Sequence, residues 1–203
     1  MQTIVFATGN EGKMREIRDI MEGFPARFLS MKEAGIQIDI VEDGKSFEEN
    51  AIIKAEAVQK LTGGVVLADD SGLEVDALGG EPGIYSARYL GEDTPYSIKN
   101  GNIIERLEGV PDEQRTARFV CAVAAAFPDR ETAVVRGIIE GRIGYEERGE
   151  HGFGYDPIFY LPERGCTSAE LLPEEKNAIS HRGAALRLIR PVLEEWLAAA
   201  KEL

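Results

Sequence analysis

The stretch that most constrains this chain is Gly64-Val65-Val66-Leu67-Ala68-Asp69-Asp70-Ser71-Gly72, an apolar run that ends in two adjacent carboxylates and a small turn. A short run of this kind, opened and closed by glycine, predicts a strand buried on both faces. Its end then delivers charge to the rim of a sheet, which is where open α/β sheets bind ligands. Side chains alternate across a strand, so Asp69 and Asp70 are predicted to point to opposite faces and only one of them to face a ligand. The same residues also suit a strand-end turn in which each aspartate bonds its own backbone, and the stretch alone does not choose between the two.

With 203 residues, 43% of them hydrophobic, the chain can bury one substantial core without a second independent domain. No apolar stretch approaches the ~20 residues that span a bilayer, and the start carries no signal-peptide pattern, so a soluble, cytoplasmic protein is expected. Cys121 lies inside an apolar run and Cys166 in a turn-like stretch, without metal-ligand spacing, which suits two free thiols in a reducing compartment. A formal net charge of -13 repels polyanions, so neither nucleic acid nor an anionic membrane is expected as a partner. An anionic small molecule must then meet a local cluster of Lys and Arg, or a metal ion.

Residues 2 to 8 read as a first strand, and Gly9-Asn10-Glu11-Gly12-Lys13 turns directly into an amphipathic helix with Met14, Ile17, Ile20 and Met21 on one side. Such a turn exposes free N–H groups at the positive end of a helix, which suits phosphate, and Lys13 adds a full charge there. It is not a P-loop: its glycines are too close together, and Met14 stands where Ser or Thr is needed to hold Mg²⁺. Residues 26 to 31 and 36 to 41 are predicted strands. Glu42-Asp43-Gly44 follows, then a helix over 46 to 62 opened by the capping box Ser46…Glu49, with a stripe of Phe47, Ala51, Ala55 and Val58. Asn50 and Lys54 lie one turn apart beside that stripe.

Beyond the central strand, residues 78 to 89 form a shaped loop punctuated by Gly and Pro, open to reading as a lid, a subunit contact or packing. A helix over 95 to 108 is weakened by Gly101. Residues 116 to 127 and 132 to 145 predict two long strands joined as a hairpin by Pro128-Asp129-Arg130. In Gly152-Phe153-Gly154-Tyr155-Asp156-Pro157, aromatics set between glycines offer a surface on which a planar base can stack, or plug a core edge. Lys176, His181 and Arg182 then precede a final amphipathic helix through Leu186, Ile189, Val192, Leu193 and Trp196.

Taken together, Thr8-Gly9-Asn10-Glu11-Gly12-Lys13, Ser46-Phe47-Glu48-Glu49-Asn50-Ala51, Ala68-Asp69-Asp70-Ser71-Gly72, Pro82-Gly83-Ile84-Tyr85-Ser86-Ala87-Arg88, Phe153-Gly154-Tyr155-Asp156-Pro157 and Ser180-His181-Arg182 resemble, in this order, the inosine triphosphate pyrophosphatase family. The resemblance implies an α/β fold with an elongated central mixed β-sheet flanked by helices, a single domain over 1–203 whose two lobes enclose a nucleotide cleft, and a homodimer. It implies hydrolysis of aberrant purine nucleoside triphosphates (ITP, dITP and XTP) to the monophosphate and pyrophosphate. By the same resemblance Thr8, Gly9, Asn10, Glu11, Gly12, Lys13 and Lys54 hold the triphosphate, and Glu42 and Asp70 hold Mg²⁺. Asp70 accepts the proton of the attacking water, Ser71 lines the cleft, and Phe153, Gly154, Tyr155 and Asp156 form a base pocket completed by Lys176, His181 and Arg182. A Maf-like pyrophosphatase acting on modified pyrimidine nucleotides is the alternative. Leu172 departs from the family pattern, standing where a small hydroxyl residue would cap a helix beginning at Pro173.

Overall fold

The structure, a computed structural model, describes residues 2–199; Met1 and residues 200–203, the ends of the predicted domain, lie outside it. In chain order the elements are β1 (Gln2–Phe6), α1 (Glu11–Ile20), β2 (Ala26–Ser30), α2 (Phe47–Thr62), β3 (Val66–Val75), α3 (Tyr96–Arg106), β4 (Thr116–Ala126), β5 (Ala133–Ile143), β6 (Phe159–Leu161), β7 (Cys166–Thr167), α4 (Pro173–Ile179) and α5 (His181–Ala199). The strands form one sheet in the order β2-β1-β3-β4-β5-β6-β7. β1 runs parallel to both β2 and β3, whereas β5, β6 and β7 pair antiparallel, so the sheet is mixed as expected.

The first three strands locate the site. From β1 the chain crosses through α1 to β2 on one side, then returns through α2 to β3 on the other. Strand order therefore reverses at β1, and the carboxyl end of a strand at such a reversal is where an open α/β sheet leaves a crevice. β1 stops at Phe6, opposite Leu67, while β3 runs on. Asp69 and Asp70 thus begin two residues past the last β1 partner.

Two of the sequence expectations change. β3 does not end at the aspartates but continues to Val75, with Leu73 and Val75 fully buried. The carboxylates are tolerated inside a strand because each has cationic or amide partners, described below. Residues 36 to 41, a predicted strand in which Ile36, Ile38 and Ile40 do alternate, are irregular; the chain leaves β2 through turns over 31–35, and Val41 is 72% exposed. Period-two alternation describes a strand only where a neighbouring edge accepts its hydrogen bonds.

The helices follow their caps. Asn10 accepts the Lys13 N–H at 3.0 Å to open α1. Ser46 accepts the Glu49 N–H at 3.1 Å to open α2, and Gly63, at φ 66°, closes it. The Glu49 carboxylate reaches back to the Lys45 N–H rather than to that of Ser46. At α4 the absent hydroxyl of Leu172 is offset by Glu175, which accepts the Leu172 N–H at 3.0 Å. Extended backbone at Ser180, φ -67° and ψ 157°, separates α4 from α5.

The chain divides into two compact units. One comprises Met1–Asp70, Cys121–Gly137 and His181–Leu203; the other comprises Ser71–Val120 and Ile138–Ser180. The first is built on Phe6, Met14, Ile17, Leu67, Val123, Leu186, Ile189 and Leu193. The second has its own core of Leu73, Val75, Ile103, Leu107, Phe119, Ile143, Ile158 and Phe159. In that second unit Arg115 is 1% exposed and donates to the carbonyls of Leu107, Ile143 and Gly144, which spreads a buried charge over three dipoles.

Candidate active site

The first unit presents an anion-ready turn beside the carboxylates of β3. Thr8 Oγ1 accepts the Asn10 N–H at 3.1 Å, and Asn10 takes that of Lys13. Among the described residues the amides of Glu11 and Gly12 meet no acceptor, so two donors remain at the positive end of α1. A side chain at Gly9 would meet nothing within 4 Å, so the space over the turn is open.

Asp69 lies in a charge network with Lys13, Arg182 and Glu16. Lys13 Nζ reaches its two oxygens at 3.0 and 3.1 Å, Arg182 Nη2 approaches Oδ2 at 3.2 Å, and Arg182 Nη1 donates to Glu16. The Asp69 side chain is wholly inaccessible. Burial alone would raise its pKa, yet the adjacent Lys13 and Arg182 charges overcome burial and hold the carboxyl well below the usual range. Cys121 Sγ sits 3.9 Å away, and burial together with the Asp69 charge pushes that thiol up to about 12, so it supplies no thiolate.

Asp70 has different company. Asn50 Nδ2 donates to its Oδ2 at 3.2 Å, and Lys54 Nζ bridges Asp70 Oδ1 at 3.5 Å and Glu42 Oε2 at 3.0 Å. Burial, reinforced by the charge of Glu42, raises the Asp70 pKa in spite of Lys54. Burial would lower the Lys54 pKa, but Asp70, Asp69 and Glu42 outweigh it and keep the lysine charged. The adjacent carboxylates are thus pushed in opposite directions, Asp69 toward its charged form and Asp70 toward its protonated form.

Among the described residues no group of three His, Cys, Asp or Glu side chains is arranged to hold a metal ion. Glu42 and Asp70 nevertheless converge on a single cation, the Lys54 ammonium. Mg²⁺ keeps several waters and is commonly held by one or two carboxylates together with substrate phosphates, so this pair fits such an ion.

In the second unit Asp156 Oδ2 accepts the Phe153 N–H at 2.9 Å and Lys176 Nζ at 2.6 Å, and places that ammonium 4.9 Å from the centre of the Phe153 ring. Tyr155 donates its hydroxyl to the Ser86 carbonyl at 2.6 Å, and its ring meets the edge of Tyr96 at 5.2 Å. Asn100 donates to the Gly154 carbonyl at 3.2 Å. The residues from 153 to 156 are therefore fastened from beneath by α3 and by the shaped loop, whose role in packing the sequence had left open.

The structure brings Lys13 to Asp69, brings Lys54 to Glu42 and Asp70, and brings Phe153, Asp156 and Lys176 together. It sets His181 and Arg182 at the start of α5 in the first unit, where Arg182 is held by Glu16 and Asp69. Ser71 follows Asp70 on β3, half-buried, and begins the second unit. Sequence reasoning passed over Glu16, set Asp69 on the face opposite Asp70 without a role, and noted Asn50 only as lying one turn from Lys54. The signal for Glu16 was its place one turn after Lys13 on the same helix face.

The profile of the Ham1 family matches residues 4–192. A "dITP/XTP pyrophosphatase" of Geobacillus kaustophilus is 51% identical over 97% of this chain and 95% of its own length, and one of Bacillus subtilis is 48% identical over 96% and 98%. Among solved structures, a HAM1 protein from Coxiella burnetii matches with a TM-score of 0.86 at 43% identity, covering 96% of this chain and all of that one. The Ham1 protein of Staphylococcus aureus follows at 0.85 and 44%, over 96% and 99%. By its sequence and by its fold, this chain belongs to the Ham1 family.

Proposed function

We infer that this chain hydrolyses non-canonical purine nucleoside triphosphates (ITP, dITP and XTP) to the nucleoside monophosphate and pyrophosphate. The observation that carries the reading is Asp70, a proton-seeking carboxylate that shares one cation with Glu42. The names of the Geobacillus and Bacillus relatives support it, and none of these relatives favours a Maf-like enzyme.

The open turn over residues 8 to 13, with the amides of Glu11 and Gly12 still able to donate, and the Lys13 and Lys54 ammoniums receive the triphosphate, whose charge the net-acidic chain would otherwise repel. Glu42 and Asp70 would hold Mg²⁺, which would polarise the phosphoryl oxygens and offset charge on the leaving pyrophosphate. Asp70 takes the proton of the attacking water, and Asn50 keeps the carboxylate oriented while it does so. Phosphoryl transfer asks mainly for positioning and charge stabilisation, so no Ser or Cys nucleophile is required.

Phe153 offers its ring to the base, with Tyr155 and Gly154 fixing the backbone around it. Lys176, His181 and Arg182 supply donors. Hypoxanthine and xanthine present an acceptor oxygen at position six where adenine presents a donor, and a buried donor left unpaired costs about 1–3 kcal/mol. The reading also carries a cytoplasmic location and a homodimer, the latter checked by sedimentation of the purified protein.

A panel of nucleoside triphosphates with Mg²⁺, scored for pyrophosphate against orthophosphate, tests the reaction. Pyrophosphate from ITP, dITP and XTP but not from ATP is expected; turnover of modified UTP in preference to ITP overturns it. Phe153→Ala should raise KM for ITP by about tenfold, the loss of one stacked base, and an unchanged KM removes the ring from the site.

A further inference from the structure

Glu42 and Asp70 come from parts of the chain that no strand ladder ties together: Asp70 lies in β3 and Glu42 in the irregular connection ahead of α2. One side chain reaches both. Asn50, in the first turn of α2 and 1% exposed, accepts the Gly44 N–H with Oδ1 at 2.9 Å and donates from Nδ2 to Asp70 Oδ2 at 3.2 Å. Each end of the amide is used in the sense its chemistry allows, oxygen accepting and nitrogen donating. The connection lies hard against the helix: a Cβ on Gly44 would stand 2.6 Å from Asn50 Oδ1 and 2.8 Å from Glu49 Cβ.

Lys54, one helical turn further on, also spans the two carboxylates, but in a different way. Its ammonium is a charge on a flexible stem, competing for the position that a divalent cation would take. Asn50 is neutral, short and buried, and its two hydrogen bonds bring no charge to compete with a cation.

We propose that Asn50 is a positioning residue for the reaction: its amide fixes the Glu42 connection and the Asp70 carboxylate relative to one another, so that the pair meets a divalent cation already arranged. The proposal rests on the functional reading above for its consequence in catalysis, while its geometric content is separate. Hydrogen-bond partners that orient metal-binding carboxylates typically contribute about 10–100-fold in metal affinity or activity.

The test uses the full chain carrying Asn50→Leu, which keeps the shape of the side chain and removes both hydrogen bonds. Two quantities are read: kcat and KM for ITP with Mg²⁺, and binding of Mn²⁺ to the substrate-free protein, followed by loss of the free-ion electron paramagnetic resonance signal. The expected result is a fall of about 10–100-fold in both kcat and Mn²⁺ affinity, with KM for ITP moving less than about threefold. A merely structural asparagine would lower the melting temperature and leave the Mn²⁺ affinity of the folded protein where it was; that outcome overturns the proposal.

If Asn50→Leu does not fold, Gly44→Ala decides, because it leaves the amide in place and pushes the connection away from it. A smaller loss in the same two quantities is expected, and unchanged Mn²⁺ affinity overturns the proposal. If the wild-type protein releases no pyrophosphate from ITP, the functional reading fails, and Mn²⁺ binding alone decides the role of Asn50.

Discussion

Around Asp69 two carboxylates face two cations, Glu16 and Asp69 against Lys13 and Arg182. Around Asp70 two carboxylates face one, Asp70 and Glu42 against Lys54. The first set is balanced, and its central pair, Asp69 and Arg182, is shut away from water while the Lys13 side chain keeps 17% of its exposure. The second set is short of one positive charge and keeps some access to solvent, with 30% of the Glu42 side chain exposed. One strand thus carries a fully paired and an under-compensated carboxylate in consecutive residues, and what distinguishes them is the number of cations that pair with each set.

The largest effect expected from this contrast is on turnover. Asp70→Asn removes the proton acceptor and should lower kcat by about 10²–10⁴-fold, the range of a general base, with the protein still folded. Because burial and Glu42 raise the Asp70 pKa, the folded state binds that proton more readily than the unfolded state. Its carboxylate therefore subtracts stability as pH rises above the ordinary aspartate range, and the neutral asparagine removes that penalty at pH 7. A melting curve at neutral pH should show the variant at least as stable as the wild type; a clear loss of stability would contradict the assignment of Asp70 to the under-compensated set.

Asp69→Asn should do the reverse. Removing one partner of a buried charge network leaves Lys13 and Arg182 facing a neutral amide, at a cost of about 3–5 kcal/mol by urea unfolding. The sign with pH is also opposite. A carboxyl held below its usual pKa contributes stability that is complete above about pH 4 and is lost as pH falls through the lower folded value. The wild type should lose stability in that acid range, and Asp69→Asn should lack this part of the dependence.

Much of this contrast could be read in the sequence, though not its direction. The apolar run into Asp69-Asp70 marks the strand, and alternation marks the division between faces, but alternation cannot say which face receives more cations. That depends on Lys13, Lys54 and Arg182 arriving from three helices far apart in the chain. The capped helices were legible because Asn10, Ser46 and Gly63 act on their own neighbours. The length of β3 was not, because two adjacent acids signal a strand end unless the partners that neutralise them are known. The predicted strand over 36–41 failed for a related reason: its alternation is local, while the neighbouring edge it needs is not. In the second unit, Phe153 and Tyr155 stood out between glycines, but Asp156, which looked like a pocket wall, is the residue that holds both Lys176 and the Phe153 amide.

The smallest effect sharpens the comparison further. Both neutral and cationic partners of Asp70, Asn50 and Lys54, ride on the first two turns of α2, whereas none of the described hydrogen-bond partners of Asp69 lies on that helix. Ser46 caps α2 through the Glu49 N–H, so Ser46→Ala should cost about 1 kcal/mol by loosening the first turn. Because the loosened turn carries hydrogen-bond partners of Asp70 and reaches Asp69 only through the charge of Lys54, its cost should add to that of Asp69→Asn within about 0.5 kcal/mol, as for weakly coupled sites. Combined with Asp70→Asn it should fall short of additivity, since the asparagine at 70 no longer draws on a correctly placed Lys54. A double-mutant cycle by urea unfolding reads both sums, and equal coupling of Ser46 to the two aspartates would mean that β3 does not separate them.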